Sequence, residues 1–214
     1  MARQLRAEQT RSTIITAAAD LFDRRGYEST SLSDIVEHAQ VTKGALYFHF
    51  AAKEDLAHAI LELQSHTARL AAETDHRGHT SLEALMRLTF GITRMSVEDP
   101  VLRAGLRLAT GGIRPRPPLS HPFTEWLDIV TTRLVGAVKE SDVHPDIDID
   151  VVAHSLVCFF VGTRVVGRSR EPVTRQPRRT AEMWNILIRG LVPVTRRARY
   201  LSLAARLERE LAPV

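Results

Sequence analysis

Apolar residues recur every three or four positions along nearly all of this chain, and no stretch alternates apolar with polar residues for the length of a strand. That pattern predicts an all-α fold of about ten helices. Ile14, Ala18, Leu21 and Phe22 form one stripe, and Gly26 follows it as a C′ residue. Ser31-Leu-Ser-Asp34 reads as an N-cap with an acidic residue three positions on, opening a short helix to about His38. Thr42 caps a second short helix over roughly 43–49, and a long helix follows over about 53–73. Thr80-Ser-Leu-Glu83 repeats the capping pattern and opens a helix to about Val97. Asp99-Pro100 places a cap before a proline at the first helical position, with the helix ending near Thr110. Paired glycines and three prolines make 111–118 a loop. Further helices are expected at about 123–141, 150–167, 179–191 and 195–211, with Pro145, Pro172, Pro177 and Pro193 in the gaps.

Hydrophobic residues make up 44% of the 214 and charged residues 25%, which suits a globular chain and argues against disorder. The net charge of +4 invites a nucleic-acid reading, but its distribution does not carry one. Residues 1–55 have a net charge of −1, residues 56–163 of −3, and residues 164–214 of +8. Any case for nucleic acid must therefore rest on where single charges point. The lone Cys158 lies in an apolar run and is expected to be a buried small hydrophobe in a reducing compartment. No apolar stretch follows the basic residues at the N-terminus. The longest uncharged apolar run, Ser155 to Thr163, falls far short of the about 20 residues of a membrane span. The expected location is the cytoplasm, with no membrane partner.

The most informative segment is Val41-Thr-Lys-Gly-Ala-Leu-Tyr-Phe-His-Phe50. Lys43 in a first helical turn opposes the helix dipole, and Gly44 costs roughly 0.5–1 kcal/mol against alanine. A helix that breaks two local rules in succession points to function. Three of the 12 aromatic residues, Tyr47, Phe48 and Phe50, fall within four positions and cannot all face one core. Leu46 and Phe50 share an inward face, whereas Lys43 and Tyr47 share an outward one. An ammonium, a phenol and the nearby His49 suit a phosphate-lined groove, and Gly44 lets the backbone approach it. A short amphipathic helix with a solvated lysine is the competing reading. The two short helices, separated by 39–41, have the spacing of a helix-turn-helix, whose second helix enters the major groove. Arg3, Arg6 and Arg11 are expected to be either a phosphate-seeking arm or a solvated tail, and Lys53 is a further backbone-contact candidate.

The run Ala17-Ala-Ala-Asp-Leu-Phe, Gly26-Tyr, Thr30-Ser-Leu-Ser-Asp-Ile, Val41 to Phe50 and Lys53-Glu-Asp-Leu56 resembles the N-terminal signature of TetR-family regulators. Gln40 departs from it, standing where the family often has glycine. The resemblance implies that Thr42, Lys43, Gly44, Tyr47 and His49 face DNA, with Thr30 and Ser33 as further contacts. It divides the chain into a helix-turn-helix domain over 1–52 and a helical ligand-binding and dimerisation domain over 53–214.

Two later segments extend the likeness: Ala104-Gly-Leu-Arg-Leu-Ala-Thr through His121-Pro-Phe-Thr-Glu-Trp126, and Arg189-Gly-Leu-Val-Pro through Arg196-Arg-Ala-Arg-Tyr200. Both are similar to the γ-butyrolactone autoregulator receptors of filamentous actinomycetes. That implies repression of antibiotic-production or morphogenesis genes, lifted by a lipid-like lactone, with Trp126 at the ligand pocket. Phe90, Leu106, Phe123, Val130, Phe160 and Thr163 are its companion candidates. By periodicity alone Trp126 is a core residue, in a stripe with Phe123, Leu127, Val130, Leu134 and Val138. The expected helix over 150–167 is apolar nearly all round, so both its sides need cover. Val152, Phe159, Trp184, Leu187, Ile188 and Leu191 are the candidates for a four-helix homodimer interface, against the alternative of a central helix in a monomer. A two-fold dimer would set its reading helices about 34–36 Å apart, on successive major grooves of a palindromic operator.

The enzyme reading finds no phosphate-cradling glycine loop and no nucleophile elbow. His76-Arg-Gly-His79 invites a metal reading, but two histidines in a loop make a weak site and read better as solvated polar residues, so neither a metal nor a cofactor is expected. The remaining rivals are a repressor of the same build that answers a different small molecule, such as an antibiotic or its intermediate, and a constitutive architectural DNA binder.

Overall fold

A computed structural model describes residues 2–74, 78–113, 122–168 and 171–211. Among them are ten α-helices: α1 (Ala2–Arg25), α2 (Leu32–Ala39), α3 (Lys43–His49), α4 (Lys53–Thr74), α5 (Ser81–Glu98), α6 (Pro100–Thr110), α7 (Pro122–Lys139), α8 (Ile149–Arg168), α9 (Gln176–Leu191) and α10 (Val194–Glu210). The chain divides into two compact units. One gathers α1–α3, α4 as far as Thr67, and α6; the other holds the rest of α4 with α5 and α7–α10. This partition differs from the expected break after residue 52. The physical reason is α6, which packs along α1. Arg103 Nε donates to the Asp23 carboxylate at 2.8 Å, and Arg107 donates to the Asp23 carbonyl at 2.5 Å. Gly26 ends α1 with φ +93°, a conformation that calls for glycine, and the Arg107 guanidinium lies 2.8 Å from where a Cβ would stand.

Within this first unit, Ile14, Ala18, Leu21 and Phe22 of α1 are buried with Ile35, Leu46, Phe50, Leu56 and Ile60. The caps form as the sequence implies. The Asp34 N–H donates to Ser31 Oγ at 3.1 Å while the Ser31 N–H donates to the Asp34 carboxylate at 2.8 Å. The bonds from the Ser31 side chain and backbone hold the Asp34 carboxyl below the usual carboxylate range. The Ala45 N–H donates to Thr42 Oγ1 at 3.1 Å. Gln40 closes α2 in the left-handed region at φ 54°, ψ 39°, with its own N–H on the Glu37 carbonyl and that of Val41 on the Val36 carbonyl. A β-carbon in that conformation is strained. Gln40→Gly is accordingly expected to raise stability by about 0.5–1 kcal/mol, read as a higher urea midpoint. An unchanged or lower midpoint would mean that the turn relieves the strain by other means.

The core of the second unit joins Leu85 and Phe90 of α5, Trp126 and Leu134 of α7, Leu156 and Phe160 of α8, Trp184 and Ile188 of α9, and Tyr200 and Leu203 of α10. α9 starts at Gln176, with Pro177 inside its first turn rather than in a gap. Proline is at home there because that N–H has no helical acceptor. α7 stops at Lys139, short of the expected 141, and Ser141 takes a left-handed φ of 59°. Among the described residues, several of the C-terminal arginines are held in ion pairs. Arg196 meets Asp142, Arg199 meets Glu83 at 3.0 Å, Arg178 meets Glu182 at 3.0 Å, and Arg179 bridges Glu171 and Glu182.

α8 is long and apolar enough, by length and composition, to cross a bilayer, which the sequence reading did not anticipate. One side of it nevertheless lies in the protein core through Ala153, Leu156, Val157 and Phe160. The other side exposes Val151, Val165 and Val166, and Ile186 of α9 is also exposed. Cys158 belongs to the outward side and is exposed, contrary to the expectation of a buried thiol. Apolar neighbours in sequence could not tell which side of a helix with no polar face turns outward.

Candidate nucleic-acid interface and internal cavity

In α3, Leu46 is fully buried and anchors the helix, with Phe50 buried just beyond its end. Gly44 and Phe48 are exposed on the side opposite Leu46, Lys43 and Tyr47 are exposed on one flank, and His49 is half-buried. Phe48 stands 79% exposed, more than any other large apolar side chain among the described residues. Its ring meets that of His49 edge to face, with centroids 5.0 Å apart. The nearest atom to a Cβ built on Gly44 is Thr42 Oγ1 at 3.9 Å, so the space outside Gly44 is open. Ser33 and Thr42 are also exposed. The helix therefore presents a cation, a bare backbone, a phenol and a naked aromatic ring on one outer face. The sequence reading missed Phe48, although its place one turn after Gly44 marked it.

Two expected contacts fall away. Thr30 is buried, and its hydroxyl donates to the Gly26 carbonyl at 2.8 Å, closing the turn after α1. Lys53 donates to the carbonyls of Tyr27 at 2.8 Å and Thr30 at 3.0 Å, with its ammonium 4.3 Å from the Tyr27 ring centroid. Both residues hold the turn together, because its carbonyls lack helical donors and the lysine supplies them. The N-terminal segment is helical from Ala2, so the expected arm is the first turns of α1, and Arg11 lies 5.3 Å from the Phe50 ring centroid. Among the described residues no cluster of three metal-ligating side chains occurs; His76 lies outside them.

A cavity lies inside the second unit, walled by Ala68, by Leu85, Leu88, Thr89 and Ile92 of α5, by Trp126, Ile129 and Val130 of α7, and by Leu156, Val157 and Phe160 of α8. It is narrow: the centre of a water molecule can move within only about 30 Å³ of it. Its wall is apolar except at two points. The Thr89 hydroxyl is satisfied, donating to the Met86 carbonyl at 2.7 Å and accepting from Trp184 Nε1 at 2.8 Å. The indole N–H of Trp126 is buried and has no acceptor, at a cost of about 1–3 kcal/mol. The Trp126 ring is held edge to face by Phe160 at 5.8 Å and Phe123 at 6.1 Å.

Behind Phe160, Arg164 is buried with its guanidinium 3.5 Å from that ring's centroid. It donates to the Phe160 carbonyl at 2.9 Å and to Thr93, which in turn bonds Thr180 at 2.9 Å. Burial pushes the guanidinium down to about 9, which leaves it charged at neutral pH. These bonds tie α5, α8 and α9 together at the cavity wall.

Of the expected pocket residues, Trp126, Val130 and Phe160 line the cavity. Phe90 is core but not wall, Phe123 backs Trp126, and Thr163 donates to the Phe160 carbonyl at 2.9 Å. Leu106 belongs to the other unit, since α6 goes with α1. Of the expected interface residues, Trp184 and Ile188 are buried in their own unit's core, with the Trp184 indole bonded to Thr89. Val152, Phe159, Leu187 and Leu191 are half-buried against that core.

Residues 14–60 match the model for bacterial regulatory proteins of the tetR family, and residues 79–193 match that for the tetracyclin repressor-like C-terminal domain. The A-factor receptor protein of Streptomyces griseus is 35% identical over 188 residues, which are 88% of this chain and 66% of that protein. This chain thus spans about two-thirds of that relative's length. A crystal structure of a gamma-butyrolactone receptor, an ArpA-like protein, is 71% identical with a TM-score of 0.88, covering 96% of this chain and 99% of that one. The TetR family protein CprB of Streptomyces coelicolor, in complex with its biological operator sequence, is 73% identical with a TM-score of 0.86, again over 96% and 99%.

Proposed function

This chain belongs to the TetR family of bacterial regulatory proteins, and on that premise we propose that it is a homodimeric transcriptional repressor released from its operator by a γ-butyrolactone. It acts without catalysis, in the bacterial cytoplasm, on genes of antibiotic production or morphogenesis. The observation that carries the reading is the pairing of an outward α3 face, built to meet a groove, with an apolar cavity whose single unsatisfied polar group is the Trp126 N–H.

A lactone supplies what that cavity lacks. Its ring carbonyl accepts from Trp126 Nε1, removing the cost of the orphan donor, and its alkyl chain lies against Leu85, Ile92 and Val157. Ligand pockets typically hold about 300–1,000 Å³. The narrow cavity must therefore widen, drawing α5, α7 and α8 apart. Only a ligand with different affinity for the two conformers shifts their populations, and the widened conformer is the one with reduced fit to DNA. The partner in the dimer is a second copy, which covers the exposed apolar side of α8 and Ile186 of α9.

The test is selection of a binding site from random duplex DNA by the purified protein, followed by titration of a γ-butyrolactone panel. The expected result is a palindrome bound tightly and released by one lactone. Binding without sequence preference would end the repressor reading. A palindrome held through the whole panel would retire the lactone in favour of another small effector.

A further inference from the structure

We infer that Phe48 is a sequence-reading residue, whose ring receives the C5-methyl of a thymine in each operator half-site. The inference rests on the repressor reading above and names what that interface recognises. On a helix turning about 100° per residue, Gly44 and Phe48 lie roughly 20° to either side of the direction opposite Leu46. Leu46 is the residue by which α3 is anchored, so these two point most directly away from the protein. Lys43 and Tyr47 lie to one flank.

Phe48 has no polar atom with which to meet water or phosphate, and at 79% exposure it has almost no apolar cover. Its ring meets that of His49 edge to face, a contact that favours one orientation of the ring. Beside it, Gly44 contributes no side chain, and only Thr42 Oγ1 approaches that space, at 3.9 Å. The bare backbone at Gly44 and the exposed ring of Phe48 therefore stand side by side on the outermost part of the helix, one turn apart. The edges of base pairs in the major groove offer hydrogen-bonding groups and one apolar group, the thymine methyl. That methyl suits an apolar ring beside an open backbone, whereas a phosphate would face the ring without a donor from it.

The test uses the operator selected by the full-length protein, resynthesised with deoxyuridine in place of thymidine at each position. The substitution removes one methyl and leaves every hydrogen-bonding group. For the wild type we expect one thymine per half-site whose loss weakens binding about four-fold, and about fifteen-fold when both half-sites are changed. Phe48→Ala, which alters only an exposed ring, is expected to bind both forms of the operator equally, with unchanged circular dichroism. Two results would overturn the inference: wild type indifferent to every uridine, or a uridine penalty that persists undiminished in Phe48→Ala. A weaker Phe48→Ala with no uridine effect in the wild type would place the ring on a deoxyribose instead. Selection of no operator at all would bring down the repressor reading as well, so the two failures are distinguishable.

Discussion

Gly44→Leu is expected to give a protein at least as stable as the wild type that binds its operator on the order of 100-fold more weakly. Leucine is a better helix former than glycine by roughly 0.5–1 kcal/mol, and a Cβ at position 44 meets nothing closer than Thr42 Oγ1 at 3.9 Å on an exposed face. Within the protein the change is harmless. In the proposed docking it puts a branched side chain where the bare backbone would meet the groove, once in each half-site. A loss of about 1.4 kcal/mol per half-site, toward the low end of the usual 1–3, gives the stated factor. Thermal melting and fluorescence anisotropy on the same preparations check both halves. Wild-type affinity in Gly44→Leu would remove α3 from the interface, and a lowered melting temperature would show that Gly44 is needed for packing.

Changes at Trp126 separate the pocket from the core. Trp126→Ala is expected to raise the lactone concentration for release by at least about 100-fold, because it removes both the donor and a wall of the cavity. It also takes a large ring from a packed core, at about 3–5 kcal/mol of stability, so this variant alone is ambiguous. Trp126→Phe resolves it. The N–H it deletes has no partner within the protein, so stability should hold or rise, while release requires roughly ten-fold more lactone. Operator affinity without ligand should match the wild type in this second variant. If Trp126→Phe responds to lactone as the wild type does, the indole N–H does not bind the effector.

What the sequence made legible was local. Ser31 with Asp34, Thr42 and Asp99 marked helix starts because a cap is an exchange of hydrogen bonds within four residues. The inward pair Leu46 and Phe50 followed from helical period alone. The losses came where tertiary partners decide. Nothing near Lys53 in sequence reveals that the Tyr27 and Thr30 carbonyls need a donor, so a lysine early in a helix looked available to phosphate. Leu106 sits on an apolar stripe that either unit would accept, and the choice was made by Arg103 and Arg107 reaching Asp23, some 80 positions away. The α5 wall of the cavity was missed for a similar reason: Leu85, Leu88, Thr89 and Ile92 are an ordinary amphipathic face until α7 and α8 are set against it. Trp184 looked like an interface residue because its indole partner, Thr89, lies 95 positions away.

The alliance of α6 with α1 has a bearing on how the protein is made. The reading unit is discontinuous, interrupted by α5 and completed only by a helix that ends at Thr110. At about 5–20 residues per second, translation adds several seconds between the emergence of α3 and that of α6. During that interval the nascent helix-turn-helix lacks the Arg103 and Arg107 contacts that fix the end of α1. The young polypeptide therefore reaches a finished DNA-binding surface late, after half its length has been synthesised. A gene fragment cut just after the helix-turn-helix would yield a product permanently arrested at that earlier stage.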